Sequence, residues 1–139
     1  MPVVLSSRSD ARQKLAELLD TIVELVAVYD HEPKDFGRRS PVATVHSDGS
    51  RREFADYARE WHRFLITLWW RRDDGAATES YLDNLGAAVC QTLLDNSDLP
   101  GYWNDLVFDQ DYSEMGYFLI DGVQYRYERL RVEVFVCCE

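Results

Sequence analysis

The stretch YFLIDGVQYRYERLRVEVFV, Tyr117 to Val136, decides how this chain is read. Asp-Gly is favoured in two-residue hairpin turns, where both positions take positive φ. Asp121-Gly122 therefore divides the stretch into a short strand, Tyr117 to Ile120, and a long return strand, Val123 to Val136. Along the return strand the apolar parity changes, from Val123, Tyr125 and Tyr127 on odd positions to Leu130, Val132, Val134 and Val136 on even ones. Side chains alternate between faces, so this change predicts a bulge or bend near Glu128. A return strand of this length outreaches its partner, and its free part needs another edge to pair with.

Upstream, Thr78 to Asn96 reads as a helix with Leu82, Leu85, Val89, Thr92 and Leu93 on its inner stripe. Thr78 suits the N-cap, and Glu79 suits the positive end of the helix dipole. Gly86, beside Ala87, costs about 1 kcal/mol relative to alanine, which predicts a close packing contact where a side chain would not fit. Asn96 to Gly101 ends the helix, because Pro100 cannot continue it. An acidic, aromatic loop then leads to the hairpin.

Further upstream, Trp61 to Trp70 is largely apolar on both alternating faces. That pattern predicts a central strand covered on both sides, or by helices on one side and another subunit on the other. Pro41 to His46 alternates, and Ser47-Asp48-Gly49-Ser50 reads as a turn returning the chain through Arg51 to Phe54 in a hairpin. A helical reading of Ala55 to Arg63 competes there. The chain opens with a short extended segment, Pro2 to Leu5, and a helix capped by Ser9. Leu15, Leu18, Leu19, Ile22, Leu25 and Val26 form its apolar face, and it ends near Tyr29 before Pro33. Asp30 to Ser40 is a long loop of the kind associated with function or tolerance. The expected fold is a single α+β domain over 1–139, with two amphipathic helices on one face of a mostly antiparallel sheet of about four to five strands and a long C-terminal hairpin.

With 139 residues, 46% hydrophobic and 29% charged, the chain has the size and balance of one soluble globular domain, and its 13% aromatic content is high. No apolar run is long enough to span a bilayer, and the N-terminus lacks the pattern of a signal peptide, so a cytoplasmic protein with no membrane partner is expected. Charge is lopsided: residues 1–72 carry 12 basic and 11 acidic groups, residues 73–139 only 3 basic against 14 acidic. Asp73 to Asp121 has eleven acidic residues and no Lys or Arg, which disfavours groove binding to DNA. Basic charge is nearly all arginine, and Arg51-Arg52 and Arg71-Arg72 could meet the acidic stretch of a neighbouring copy.

Three cysteines, Cys90 and the adjacent Cys137 and Cys138, give neither a disulfide framework nor a zinc motif with His31, His46 and His62. Asp95, Asp98, Asp105, Asp109, Asp111 and Glu114 offer oxygens to a divalent cation, but not at EF-hand spacing. His62 with Asp56 or Glu60 is an acid–base candidate, yet a lone histidine on an apolar strand is more often a satisfied core residue. No phosphate loop, GxSxG or HExxH is present. No catalytic residue, cofactor or metal is therefore expected, and an enzyme is not.

The order of elements carries a resemblance. An amphipathic N-terminal helix, strands through Pro41 to Trp70, a second helix around Tyr81-Leu82-Asp83-Asn84-Leu85, the loop Tyr102-Trp103-Asn104-Asp105-Leu106 and the terminal hairpin from Ile120-Asp121-Gly122 to Arg131-Val132-Glu133-Val134 together resemble the tail terminator (tail completion) proteins of long-tailed phages and related viruses. The likeness covers nearly the whole chain and is one of pattern, without a diagnostic motif. It implies a structural protein of the virion tail or neck, assembled in the host cytoplasm. Such proteins form hexameric homo-oligomeric rings that cap the tail tube, stop its growth and dock the head–tail connector. The implied partners are further copies of the chain, the tail tube protein and a connector or neck protein, with DNA passing unbound. Candidate subunit or tube contacts are Phe36, Arg38, Arg39, Trp69, Trp70, Arg71, Arg72, Tyr125 and Tyr127. Candidate acidic channel lining is Asp105, Asp109, Asp111 and Glu114. The alternatives are another neck or head-completion ring protein, or a small-molecule binding or enzymatic domain.

Overall fold

Two helices lie on one face of a six-stranded, mostly antiparallel sheet. The structure is a computed structural model and describes residues 7–54, 58–72, 75–109 and 112–137. In chain order the elements are α1 (Arg8–Asp20), β1 (Ala27–Tyr29), β2 (Val42–Phe54), β3 (Ala58–Arg71), α2 (Gly75–Asp95), β4 (Asp105–Phe108), β5 (Glu114–Ile120) and β6 (Val123–Cys137). Across the sheet the order is β1-β2-β3-β6, and the outer edge of β6 is shared by β4 and β5. All pairs are antiparallel except β1 with β2. The α+β class, the covering helices and the C-terminal hairpin are thus as expected from sequence. No helix among the described residues is long and apolar enough to cross a membrane.

The return strand corrects the sequence reading. β6 pairs with β3 without a register shift from Cys137↔Arg59 to Tyr125↔Arg71, so no bulge falls at Glu128. Even positions of β6 face the helices throughout, and Leu130, Val132, Val134 and Val136 are buried there. Val123, Tyr125 and Tyr127 belong to a second cluster on the opposite face. The parity change records a change in which face is covered. The part of β6 beyond β5 pairs with β4, a strand the sequence reading left inside a loop, so the chain satisfies that edge itself. The turn is as expected, with Asp121 at φ 49° and Gly122 at φ 77°.

The actual bulge lies in β2. Its register against β3 shifts between Ser47 and Ser50, with Gly49 at φ 100°. Ser47 to Ser50 is therefore not a hairpin turn: β2 continues through it to Phe54, and β3 begins at Ala58. A glycine in a strand supplies the positive φ that such a bulge uses. Residues 58–63 are strand, which removes the helical alternative for that part.

α1 is shorter than its apolar periodicity implied. Its N-cap is Ser7, whose side chain accepts from the Asp10 amide, and it stops at Asp20. Thr21, Ile22, Val23, Val26 and Val28 follow, and β-branched residues lose side-chain freedom in a helix. Ile22 and Leu25 are buried from a turn, and Ala27–Tyr29 pairs with β2 instead. α2 starts earlier than expected, so Thr78 is buried inside it and is not its cap.

Ala11, Leu15 and Leu19 of α1 and Leu82, Leu85, Val89 and Leu93 of α2 pack with Phe64, Ile66 and Leu68 of β3. Each buried Leu, Ile, Val or Phe among them contributes about 1.5–3 kcal/mol. The close contact expected at Gly86 is with the sheet: a Cβ there would collide with the Glu128 carboxylate. That carboxylate accepts from Ser113 Oγ at 2.6 Å, so α2 crosses directly above a held polar side chain.

Candidate functional site

On the face away from the helices, coverage comes from a loop. Phe36, in the segment between β1 and β2, reaches across to Trp69 of β3 and Tyr125 of β6, with ring centroids 5.4 and 5.3 Å away. Trp69 also meets Tyr127 at 5.4 Å, and its Nε1 donates to Thr44 Oγ1 at 3.1 Å. The Tyr125 hydroxyl donates to the Arg39 carbonyl at 3.3 Å, tying the loop's far end to the sheet. Burial pushes the Tyr125 phenol above its ordinary range. Gly116 of β5 gives the Tyr127 hydroxyl room, since a Cβ would lie 2.7 Å from it.

Beside this cluster a cavity of about 390 Å³ opens between the loop and the hairpin, lined by Lys34, Phe36, Trp69, Phe118, Asp121 and Arg129 among others. Its aromatic walls and mixed charges at the rim suit a flat or apolar group held by contact. β5 forms one wall and is exposed on both faces: Met115 is 37% exposed, Tyr117 51%, Phe118 56% and Leu119 65%. On the helix side, Arg72 and Arg126 stand over the Tyr117 ring at 4.9 and 4.7 Å, while Trp70 stacks on Tyr81 at 5.1 Å. Arg126 also donates to Glu79 at 2.6 Å, and this contact raises the guanidinium pKa.

The residues expected at an interface therefore divide. Phe36, Trp69 and Tyr125 are buried in the chain's own second cluster. They shape the surface but present little of it. Arg38, Arg39, Arg71 and Arg72 are exposed, and Trp70 and Tyr127 are half-buried. Sequence reasoning missed Met115, Tyr117, Phe118 and Leu119. They belong to an apolar run that reads in sequence like any buried strand, and only the sheet order, with β5 at an edge, accounts for their exposure among the described residues.

The acidic candidates are spread along the outer edge of β6. Asp109 pairs with Arg63, raising the guanidinium pKa through their hydrogen bond. Glu114 lies 3.5 Å from Arg129. Asp105 is exposed and accepts from the Leu106 amide at 2.9 Å. Asp111 lies outside the described residues, as does Asp56. Two of the expected lining carboxylates are thus partly neutralised by arginines of the same sheet.

His62 is 1% exposed on β3. Its Nδ1 is 2.9 Å from Ser50 Oγ and its Nε2 3.5 Å from Glu60 Oε2. The bulge in β2 brings Ser50 opposite it, a neighbour that sequence reasoning did not foresee. Arg8 donates to the same Ser50 Oγ at 3.1 Å, and Arg52 pairs with Glu60 at 3.3 Å. Each polar group of this string is held by another, so it pins α1 to the β2–β3 ribbon. Among the described residues no three His, Cys, Asp or Glu side chains converge as metal ligands. Compared with known proteins, the chain matches no protein-family model and no curated relative.

Proposed function

We propose that this chain is a structural virion protein of the tail terminator kind: a homo-oligomeric ring, hexameric by that resemblance, that caps the tail tube, ends its growth and joins it to the head–tail connector. The observation that carries the reading is the exposed apolar surface of β5, continuous with the aromatic cavity on the loop-covered face. An edge strand with Met, Tyr, Phe and Leu exposed is a surface suited to being covered by protein. The element order on which the resemblance rests also supports it. In this reading the chain acts in the virion tail or neck after assembly in the host cytoplasm, without catalysis, and DNA passes through the ring without specific binding.

The test is incubation of the purified chain with tubes assembled from the tail tube protein of the same virus, followed by negative-stain imaging. The terminator reading expects added density at one tube end and arrest of further growth. Binding to the connector but not to tubes would instead identify another neck or head-completion ring protein. Binding to neither, with a small molecule raising the melting temperature through the Trp69–Phe118 cavity, would favour a ligand-binding domain.

A further inference from the structure

Among the described residues β1 and β5 lie at opposite edges of the sheet and at the same level. Ala27 of β1 is opposite Val42, which is opposite Trp69, then Tyr127, then Gly116 of β5. The neighbouring row runs Val28, Ala43, Leu68, Glu128, Met115. β1 runs parallel to β2, and each later step, to β3, β6 and β5, reverses direction, so β1 and β5 are antiparallel across the sheet. A second copy in the same orientation, set beside the first, would therefore bring its β1 alongside β5 with the polarity of an ordinary antiparallel pair.

Both edges also carry apolar side chains that are largely exposed among the described residues. At the β1 end Val23 is 93% exposed and Val26 60%. At the other edge Met115, Tyr117 and Leu119 pair with Glu128, Arg126 and Gln124, which places them on the helix side of β5. Charge agrees. Asp20 and Glu24, beside Val23, are exposed and have no ion pair among the described residues; Arg72, over the Tyr117 ring, is exposed and has none either.

We propose that copies of this chain associate head to tail, the free edge of β5 in one pairing with β1 of the next, Tyr117 and Leu119 packing against Val23 and Val26, and Arg72 facing Asp20 and Glu24. One contact covers both patches. A two-fold pairing of β5 with β5 leaves Val23 and Val26 in water and sets Arg72 against Arg72. A head-to-tail contact is the kind that closes into rings. It deepens the ring reading above and rests on it only in requiring self-association.

The experiment uses Leu119→Lys and Val26→Lys, both at exposed positions, with circular dichroism and melting temperature confirming the fold. Mass photometry then reads each variant alone and the two mixed. Head-to-tail pairing requires wild type to assemble, each variant alone to be monomeric, and the mixture to form one-to-one dimers, because each variant keeps one intact edge. Dimeric Val26→Lys with monomeric Leu119→Lys would overturn it in favour of two-fold β5 pairing. Assembly of both variants alone, or a wild type that stays monomeric, would also overturn it. Wild-type assemblies that obey this pattern but ignore tail tubes would remove the terminator reading and leave the pairing intact. Tube-capping rings formed by both variants would do the reverse.

Discussion

The two faces of the sheet are covered by different means. On one, two helices lay Leu15, Leu19, Leu85 and Val89 over Phe64, Ile66 and Val132, all of them 2% exposed or less. On the other, the loop between β1 and β2 covers Trp69 and Tyr125 with Phe36, while Arg63, Leu65 and Trp61 further along β3 are only half-buried. Rigidity differs between the two faces accordingly. A helix pays much of its ordering cost with its own hydrogen bonds, whereas a loop is held by a few anchors and can yield. The surfaces suited to partners therefore gather beside the loop-covered cluster and at the two sheet edges, beyond the reach of the helices.

The largest expected effect breaks the helix-covered side. Ile66→Ala should cost about 4 kcal/mol, because a cavity beneath two helices cannot readily collapse. Phe36→Ala, under the loop, should cost about 2 kcal/mol, below the usual core value for that change, since loop and water can move in. Denaturant unfolding measures both. Equal losses would mean that the loop is as fixed as the helices.

The contact between α2 and the sheet sharpens the comparison. Gly86→Ala gains helix propensity but pushes the Glu128 carboxylate from Ser113, so the net change should be a loss of about 1 kcal/mol or less. With Glu128→Ala already in place, the same substitution should stabilise by about 0.5–1 kcal/mol. A double-mutant cycle reads the sign change, and its absence would show that the glycine serves something other than this approach.

Smaller effects concern single groups. Leu119→Lys should leave monomer stability within about 0.5 kcal/mol, as expected of a surface position. Burial, with the Glu128 carboxylate second, raises the Cys90 thiol pKa. The folded chain thus favours the neutral thiol, and Cys90 contributes stability fully present below the unfolded thiol's pKa and lost as pH rises through the folded value. Alkylation of Cys90 should accordingly reach half its limiting rate at a higher pH than a free cysteine does. A midpoint at or below the free value would place a cation near the sulfur.

Much of the fold was legible because it rests on local chemistry: the Asp121-Gly122 turn, the Leu82-Leu85-Val89-Leu93 stripe, the doubly apolar β3 and the close approach at Gly86. What was misread depended on partners distant in sequence. The parity of β6 cannot be assigned to a face without knowing that Phe36 covers the other one. β1 and β4 are three and four residues long, too short to show a period, and exist because a longer strand offers them an edge. The aromatic character of Phe36, Trp69, Tyr125 and Tyr127 was plain in sequence, but not the burial of the first three against one another, nor the exposure of β5, which depends on the sheet order.

The exposed apolar surface of β5 is proposed to be covered by further protein. The mass of the purified wild-type chain across concentration, by light scattering, tests it most directly. The account predicts growth toward a closed species near six times 16.2 kDa with an open centre in negative stain. A monomer at every concentration, unchanged when tail tubes are added, would contradict it.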